Sequence, residues 1–196
     1  MQSERSIYLA SRSPRRQELL GQIGVKFEVM ALDVDEAALA GEAPRAYVER
    51  LARAKAEAGW RRVEQDNLPR APVLGADTTV AVDARILGKP ADDREAADML
   101  ASLSGRLHEV LTAVALKFGP RLESAVSVSE VRFKKLSTEE IARYVATGEC
   151  ADKAGAYGIQ GHAARFVAEL RGSFSGVVGL PLYETAQLLE RIGSPA

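Results

Sequence analysis

The first apolar run of the chain, residues 7–10, is followed after only a few residues by a helix start. Ser13 favours the position before a helix, and Pro14 favours the first helical position, where a backbone N–H would have no partner. The free N–H groups of a helix start attract anions, and Arg15 and Arg16 add guanidinium groups that can bind phosphate oxygens in pairs. The segment therefore predicts a strand leading into a phosphate-binding helix start, although a capped surface helix with solvated arginines fits the same residues.

Strand and helix patterns alternate along the rest of the chain, without repeats or low-complexity segments. Apolar and alternating runs predict strands over residues 7–10, 25–30, 73–82, 86–87, 110–118, 122–133 and 165–170. Capping residues, prolines at helix starts and glycines at helix ends predict helices over residues 14–21, 44–59, 92–105, 137–148 and 181–189. A change of phase at Val131 indicates a bulge or two short strands. Short turns join several strands, so we expect an α/β fold with a mixed sheet flanked by helices.

Composition narrows the class of protein. The 196 residues are 46% hydrophobic and 27% charged, which suffices for one domain or for two lobes that share a sheet. The net charge of −1 argues against a nonspecific nucleic-acid binder but permits a local cationic pocket. The single cysteine, Cys150, excludes an internal disulfide and is expected to be a small buried residue. No apolar run reaches membrane-spanning length and no targeting segment is evident, so we expect a cytoplasmic protein without membrane contact.

Asp77 interrupts the strongest strand signal of the chain, residues 73–82. Its neighbours favour burial and extended structure, and an unpaired carboxylate there would cost on the order of several kcal/mol. A metal ion, a lysine or an activated water near the end of a central strand would compensate it, and α/β proteins place their sites at such strand ends. Alternatively, Asp77 and Thr78 form a local backbone cap at a bulge.

Two lysines also break the hydrophobic pattern. Lys55 lies four residues after Leu51 on the apolar side of its helix, so we expect it to point inward, either along the core edge or into a pocket. Lys89 lies in the rigid connection before Pro90. When the preceding hairpin folds back, this lysine is expected to approach the strand of Asp77.

Motifs of several common enzyme classes are missing. The sequence has no P-loop and no dinucleotide-binding glycine pattern, and His108 and His162 are its only histidines. No Gly-x-Ser-x-Gly segment accompanies them, so a Ser-His-Asp hydrolase is disfavoured, and we expect His108 to satisfy the turn after Gly105. Because nitrogen and sulfur ligands are so few, any bound metal should be an oxygen-preferring ion such as Mg²⁺ or Mn²⁺.

Several ordered segments across nearly the whole chain resemble the Maf family of nucleoside triphosphate pyrophosphatases. They are Ser11-Arg12-Ser13-Pro14-Arg15-Arg16, Gly75-Ala76-Asp77-Thr78, Gly88-Lys89-Pro90, Leu103-Ser104-Gly105-Arg106, residues 152–161 and residues 178–182. The resemblance implies an elongated, inosine-triphosphatase-like α/β fold over residues 1–196, as one domain with two lobes around a central cleft, commonly in a homodimer. It also implies cleavage between the α and β phosphates, assisted by Mg²⁺ or Mn²⁺, that releases a nucleoside monophosphate and pyrophosphate.

Within the family, Gly155-Ala156-Tyr157-Gly158-Ile159-Gln160-Gly161 resembles the branch that acts on dTTP and UTP. Its glycines either let the backbone approach the base or serve a tight turn. By the resemblance, Asp77 is the proton acceptor, and Arg15, Thr78 and Gln160 influence substrate choice. Further polar positions of the cleft are carried over to Ser11, Arg16, Glu36, Lys55 and Lys89, with Asp35 as an alternative to Glu36.

These positions fit an in-line attack of water on the α-phosphorus. Asp77 and Glu36 can hold the metal and orient the water, while hydroxyls and cations surround the triphosphate. The surrounding set comprises Ser11, Ser13, Arg15, Arg16, Lys55 and Lys89. The carboxamide of Gln160 matches the imide edge of thymine and uracil and mismatches cytosine. Activity on 7-methyl-GTP or another modified nucleotide stays open, as does a nucleotide-binding regulator of cell division without catalysis.

Overall fold

The computed structural model describes residues 6–193. The outermost residues of the expected 1–196 domain lie outside the described residues. The strands are β1 (Ser6–Leu9), β2 (Lys26–Val29), β3 (Val73–Val82), β4 (Arg85–Leu87), β5 (Leu107–Phe118), β6 (Arg121–Phe133) and β7 (Val167–Arg171). The helices are α1 (Pro14–Gln22), α2 (Pro44–Gln65), α3 (Asp93–Leu103), α4 (Thr138–Val145), α5 (Phe174–Val178) and α6 (Leu182–Gly193). Short 3₁₀ segments at Ala154–Ala156 and His162–Phe166 precede β7.

The strands of the described chain form one seven-stranded sheet in the order β2-β1-β3-β5-β6-β7, with β4 also paired to β3. The pairs of β1 with β2 and with β3 are parallel, and the other pairs are antiparallel. The mixed sheet flanked by helices that the sequence predicts is therefore confirmed. Strand β3 has the predicted bounds, because a continuous apolar run suits a strand that is buried on both faces.

Strand β1 covers only the beginning of β3. It pairs with β3 at Val73 and Leu74, and β4, on the same edge, pairs with β3 only from Val80 onward. Within the described chain, residues 75–79 of β3 therefore have no strand neighbour on this edge, whereas β5 pairs with them along the other edge. The resulting gap in the sheet lies at the carboxyl end of the parallel strand β1, where α/β proteins commonly bind ligands.

Helix α2 crosses one face of the sheet at a distance that requires glycine in β3. A Cβ at Gly75 would lie 2.3 Å from the carbonyl oxygen of Ala52 and 2.6 Å from the backbone nitrogen of Ala56, both in α2. Such an approach is open to glycine because it has no Cβ. The contact fixes this turn of α2 against β3 and brings Lys55 beside Asp77.

Apolar side chains cover both faces of the sheet. On the α2 face, Val48, Ala52 and Ala56 pack against alanines and Leu111 of β3 and β5. A larger cluster on the opposite face combines side chains from α1, α3, α4 and α6 with the strands. Cys150 is buried, as expected. Among the described residues, no helix combines the length and the apolar character needed to cross a membrane.

Several boundaries differ from the sequence prediction. Helix α2 continues to Gln65, because Gly59 lies inside the helix, where it makes room for the side chain of Val73, instead of ending it. Strand β6 is continuous and has a register shift at Arg132 and Phe133, so the bulge alternative is confirmed. The sequence prediction also lacks α5, whose five residues are too few for a periodic signal.

His108, which the sequence analysis expected to satisfy the turn after Gly105, lies next to that turn and packs inside the protein. The residue lies in β5 with 2% exposure, its Nε2 atom is 2.8 Å from the hydroxyl oxygen of Tyr157, and its ring packs edge-on against Phe133. Backbone atoms serve the turn, since the N–H of Gly105 donates to the carbonyl of Lys134. Burial lowers the pKa of His108 to about 4.

This low pKa predicts acid sensitivity. Between pH 6.5 and 4 the unfolded chain binds a proton at His108 that the folded chain excludes, so the free energy of unfolding falls as the pH falls. Between pH 7 and pH 4.5, the free energy of unfolding should fall by about 2–3 kcal/mol less in His108→Gln than in the wild type, as measured by urea titration. The exposed His162 offers a control, and His162→Gln should keep the wild-type loss. Equal acid sensitivity in wild type and His108→Gln would contradict the prediction.

Candidate active site

A cleft of about 1100 Å³ occupies the gap in the sheet. Its walls come from the loop between β1 and α1, the middle of β3, the loop after β4, helix α2 and residues 149–161. Every site residue nominated from the sequence lines this cleft: Ser11, Ser13, Arg15, Arg16, Glu36, Lys55, Asp77, Thr78, Lys89 and Gln160. The structure thus brings these side chains together, and their individual roles stay predictions.

The ammonium group of Lys55 lies between two carboxylates in the cleft. Its Nζ atom is 2.7 Å from Asp77 Oδ1 and 2.6 Å from Glu36 Oε1. Lys89 Nζ lies 3.5 Å from the other carboxylate oxygen of Glu36. Lys55 therefore points inward, as predicted, and supplies the cation that a buried Asp77 requires. The bulge-cap alternative fails, since β3 and β5 keep a regular register through Asp77 and Thr78.

The two carboxyl groups have opposite pKa shifts. Burial is the largest influence on Asp77 and raises its pKa, against the opposing effect of Lys55 and Arg16. Burial acts in the same direction on Glu36, but hydrogen bonds and positive charge from Lys55 and Lys89 together outweigh it and lower the pKa. Neighbouring carboxyl groups with separated pKa values suit different tasks, with Asp77 fitted to accept a proton and Glu36 to stay ionised.

The acidic loop after β2 reaches the cleft through Glu36, whereas Asp35 is used locally. Asp35 Oδ1 accepts a hydrogen bond from the backbone N–H of Ala37 at 2.9 Å. The hydroxyl of Tyr47 donates to the carbonyl oxygen of Glu36 at 3.0 Å, which ties the loop to α2. The sequence analysis did not nominate Tyr47, although its spacing places it on the same face of the helix as Lys55.

Arg16 is held in place by three separate segments. Its Nε donates to the carbonyl oxygen of Gly179 at 2.8 Å, and its terminal nitrogens donate to Ser11 Oγ and Thr78 Oγ1, each at 3.2 Å. These contacts join α1, the loop after β1, strand β3 and the turn after α5. Arg15, in contrast, has no side-chain hydrogen bond within residues 6–193, and its positive charge contributes to the lowered pKa of Asp152, after the larger effects of Lys153.

The start of α1 is built differently from a capped helix. Ser13 occupies the cap position and Pro14 the first turn, as predicted, but the Ser13 side chain makes no capping hydrogen bond. Instead, the backbone N–H of Ser13 donates to Ser11 Oγ at 3.2 Å. The Ser13 hydroxyl and the first N–H groups of the helix are therefore available to an anion in the cleft.

The glycine-rich segment places Gln160 in the wall of the cleft. Gly155 has a φ of +67°, and a Cβ there would lie 2.8 Å from a methyl carbon of Val80. Its N–H donates to the carbonyl of Gly88 at 3.0 Å. Gly155 therefore serves a tight turn and a close packing contact, which is the second of the two alternatives considered for these glycines.

Three further polar residues that the sequence analysis left without a role line the cleft beside this segment. They are Glu149, Asp152 and Lys153. Lys153 Nζ lies 2.6 Å from Asp152 Oδ1 and donates to the carbonyl of Glu149, also at 2.6 Å. Asp152 and Lys153 could have been nominated from the sequence because they stand at the start of the glycine-rich motif. No sequence signal marks Glu149.

The protein is an α/β protein whose site lies at a helix start, beside a gap in a mixed sheet. Cations surround two acidic side chains there, and this arrangement suits a compact, multiply charged phosphate ligand. The family model described as Maf-like protein matches residues 6–192. The chain belongs to the Maf family, which confirms the resemblance found in its motifs.

Curated relatives match over almost their full lengths. The dTTP/UTP pyrophosphatase of Aromatoleum aromaticum is 59% identical over 198 residues, which cover 96% of this chain and 96% of the relative. Proteins of the same name from Nitrosospira multiformis and Chromobacterium violaceum are 55% and 54% identical over 195 and 187 residues. Each alignment covers 95% of this chain and 94% of the relative.

The three contacts of Arg16 predict a structural cost for a conservative change. Arg16→Lys should lower the free energy of unfolding by about 1–3 kcal/mol, because an ammonium group cannot reproduce the divergent bonds of a planar guanidinium. Arg15→Lys is the matched control on the same helix turn, and its effect should stay within about 0.5 kcal/mol. Urea unfolding of both variants measures the difference, and equal effects would contradict the assigned anchoring role.

Proposed function

We propose that this protein hydrolyses dTTP and UTP between the α and β phosphates, releasing the nucleoside monophosphate and pyrophosphate. The observation that carries the proposal is the buried carboxyl group of Asp77, with its raised pKa, held beside cations in the sheet gap. Relatives at 54–59% identity that are named dTTP/UTP pyrophosphatase support the choice of reaction and substrates.

In this reaction Asp77 accepts a proton from the attacking water. The water oxygen forms a bond to the α-phosphorus while the bond from that phosphorus to the bridging oxygen breaks, and pyrophosphate leaves with the bonding electrons. A carboxyl group whose pKa is raised by burial is a better proton acceptor than an exposed one. Lys55 holds this carboxyl group in place through the 2.7 Å contact.

Groups on the other walls of the cleft neutralise the phosphates. Arg15 and Lys89 line the cleft with cationic side chains, and the Ser13 hydroxyl and the start of α1 add hydrogen-bond donors. Arg16 is fixed beforehand by its three protein contacts, so it needs no reorganisation when pyrophosphate charge develops. Together these groups favour departure of a polyanion.

The donor set also fits a hard divalent cation, and we propose Mg²⁺ or Mn²⁺. Glu36 and Asp77 both contact Lys55 Nζ, at 2.6 and 2.7 Å, so their carboxylate groups lie close together in the cleft. Within residues 6–193 no group of three or more His, Cys, Asp and Glu side chains could hold a metal. Glu36 and Asp77 would therefore hold the ion jointly with substrate phosphates and water, as is usual for Mg²⁺. Bound there, the ion would withdraw negative charge from the phosphates.

Base recognition is assigned to Gln160. Its carboxamide offers one donor and one acceptor, and the imide edge of thymine and uracil presents a donor between two acceptors. Thr78 and Arg15, which line the same cleft, are proposed to contribute to substrate choice. A homodimer stays a prediction from the family resemblance, and a cytoplasmic location stays a prediction from the sequence pattern.

A panel of nucleotides with Mg²⁺ or Mn²⁺ tests the proposal. Purified protein should convert dTTP and UTP to monophosphate and pyrophosphate faster than CTP or 7-methyl-GTP, with products identified by ion-exchange chromatography. Preferred turnover of 7-methyl-GTP would replace the substrate assignment. Release of orthophosphate would refute the cleavage position, and nucleotide binding without turnover would favour the division-regulator alternative.

Asp77→Asn provides the inactive variant for that panel. Loss of the proton acceptor should lower kcat about 10²- to 10⁴-fold while leaving nucleotide binding measurable by calorimetry. Asp83→Asn is the matched control, because Asp83 is exposed, pairs with Arg106 and does not line the cleft. Comparable activity in the two variants would remove Asp77 from the mechanism.

A further inference from the structure

The turn that carries Gln160, residues 158–162, is anchored on both sides of that residue. On one side, the backbone N–H of Gly158 donates to the hydroxyl oxygen of Tyr144 at 3.3 Å. On the other side, the backbone N–H of His162 donates to Glu149 Oε2 at 2.8 Å. The Tyr144 hydroxyl in turn donates to Glu149 Oε1 at 2.9 Å. Both anchors of the Gln160 turn therefore converge on the carboxylate of Glu149.

The backbone of the Gln160 turn also packs closely against this carboxylate. A Cβ at Gly161 would lie 2.3 Å from each carboxylate oxygen of Glu149, so the backbone passes directly over the charged group. The N–H of Gly161 donates to the carbonyl of Gly158 at 3.1 Å, which closes the turn on itself. Any larger residue at position 161 or any shift of the carboxylate would move the backbone next to Gln160.

The other partner, Tyr144, is fixed in the core. It is fully buried and packs edge-on against Phe166 with ring centroids 5.3 Å apart. Because Tyr144 cannot move without disturbing the core, its hydroxyl holds the Glu149 carboxylate in a fixed position. The chain of contacts therefore runs from the core through Tyr144 and Glu149 to the backbone on each side of Gln160.

We propose that Glu149 is a positioning residue for base selection: its carboxylate sets the position of Gln160 relative to the base. The inference rests on the proposed function, since it concerns how the same cleft distinguishes uracil and thymine from cytosine. The base edges of uracil and cytosine differ by exchanged hydrogen-bond donors and acceptors. A flexible glutamine distinguishes them only when its backbone is held at a fixed position relative to the base. The two hydrogen bonds that converge on the Glu149 carboxylate hold the turn in this position.

A merely structural role for Glu149 makes a different prediction. Loss of a surface anchor that only stabilises the fold would lower the activity on every nucleotide by the same factor. A positioning role instead lowers kcat/KM for UTP while leaving kcat/KM for CTP unchanged or raised. The ratio of the two values separates these roles, because it does not change with the fraction of folded enzyme.

The experiment compares Glu149→Ala and Glu149→Gln with Glu139→Gln. Glutamine keeps the size of the side chain and covers the case in which the alanine variant fails to fold. Glu139 lies on α4, is exposed and does not line the cleft, so it serves as the matched control. The UTP over CTP ratio of kcat/KM should fall roughly tenfold or more in the Glu149 variants and stay at the wild-type value in Glu139→Gln.

Combining each Glu149 variant with Gln160→Ala tests the route of the effect. If Glu149 acts through Gln160, its replacement should not lower the ratio further once the carboxamide is gone. A full additional fall would overturn the inference, as would an unchanged ratio in the single Glu149 variants. If the wild-type enzyme shows no preference for UTP over CTP, the proposed function and this inference are refuted together. If the wild type shows the preference and the Glu149 variants retain it, only the inference is refuted.

Discussion

The burial of one carboxyl group in the middle of β3 governs the organisation of this protein. Asp77 is 7% exposed, and its burial is tolerated because Lys55 and Arg16 approach it from different elements. Lys55 reaches it because the absence of a side chain at Gly75 lets α2 lie directly on the strand. Arg16 reaches the same region because β1 ends early and leaves the sheet open beside residues 75–79. A strand that stops short and a missing Cβ together create a charged pocket inside a hydrophobic sheet.

Four cations that were nominated from the sequence and line the cleft divide into two groups by how firmly the protein holds them. Arg16 and Lys55 are committed to protein partners and are therefore positioned before any ligand arrives. Arg15 and Lys89 keep most of their hydrogen-bonding capacity for a ligand, with Lys89 held only by a 3.5 Å contact to Glu36. The fixed group compensates the negative charge of the acidic side chains, whereas the loosely held group keeps hydrogen-bond donors in the cleft. Such a division lets a site be rigid at the reacting centre and adaptable around it.

The sequence pattern alone predicted those site residues that break the hydrophobic pattern of their own strand or helix. Asp77 within an apolar strand and Lys55 on an apolar helix face both stand out without any structural knowledge, and both lie in the cleft. Glu149 and Tyr47 could not be found in this way, because an acidic residue at a helix end and a tyrosine on a helix are locally ordinary. The role of His108 was missed for the same reason, since its partner Tyr157 is distant in sequence. The carry-over of family motifs supplied Glu36 and Gln160, which no periodicity argument singles out.

One backbone hydrogen bond gives the cleft a property that its separate walls would not have. The N–H of Gly155 donates to the carbonyl of Gly88, which joins the segment ahead of Gln160 to the connection that carries Lys89. Gly155 also rests on Val80, so neither segment can slide along β3 independently. The main chain thereby links the position of the segment that carries Gln160 to that of the connection that carries Lys89. A ligand that contacts both segments therefore meets two walls whose separation is set before it binds.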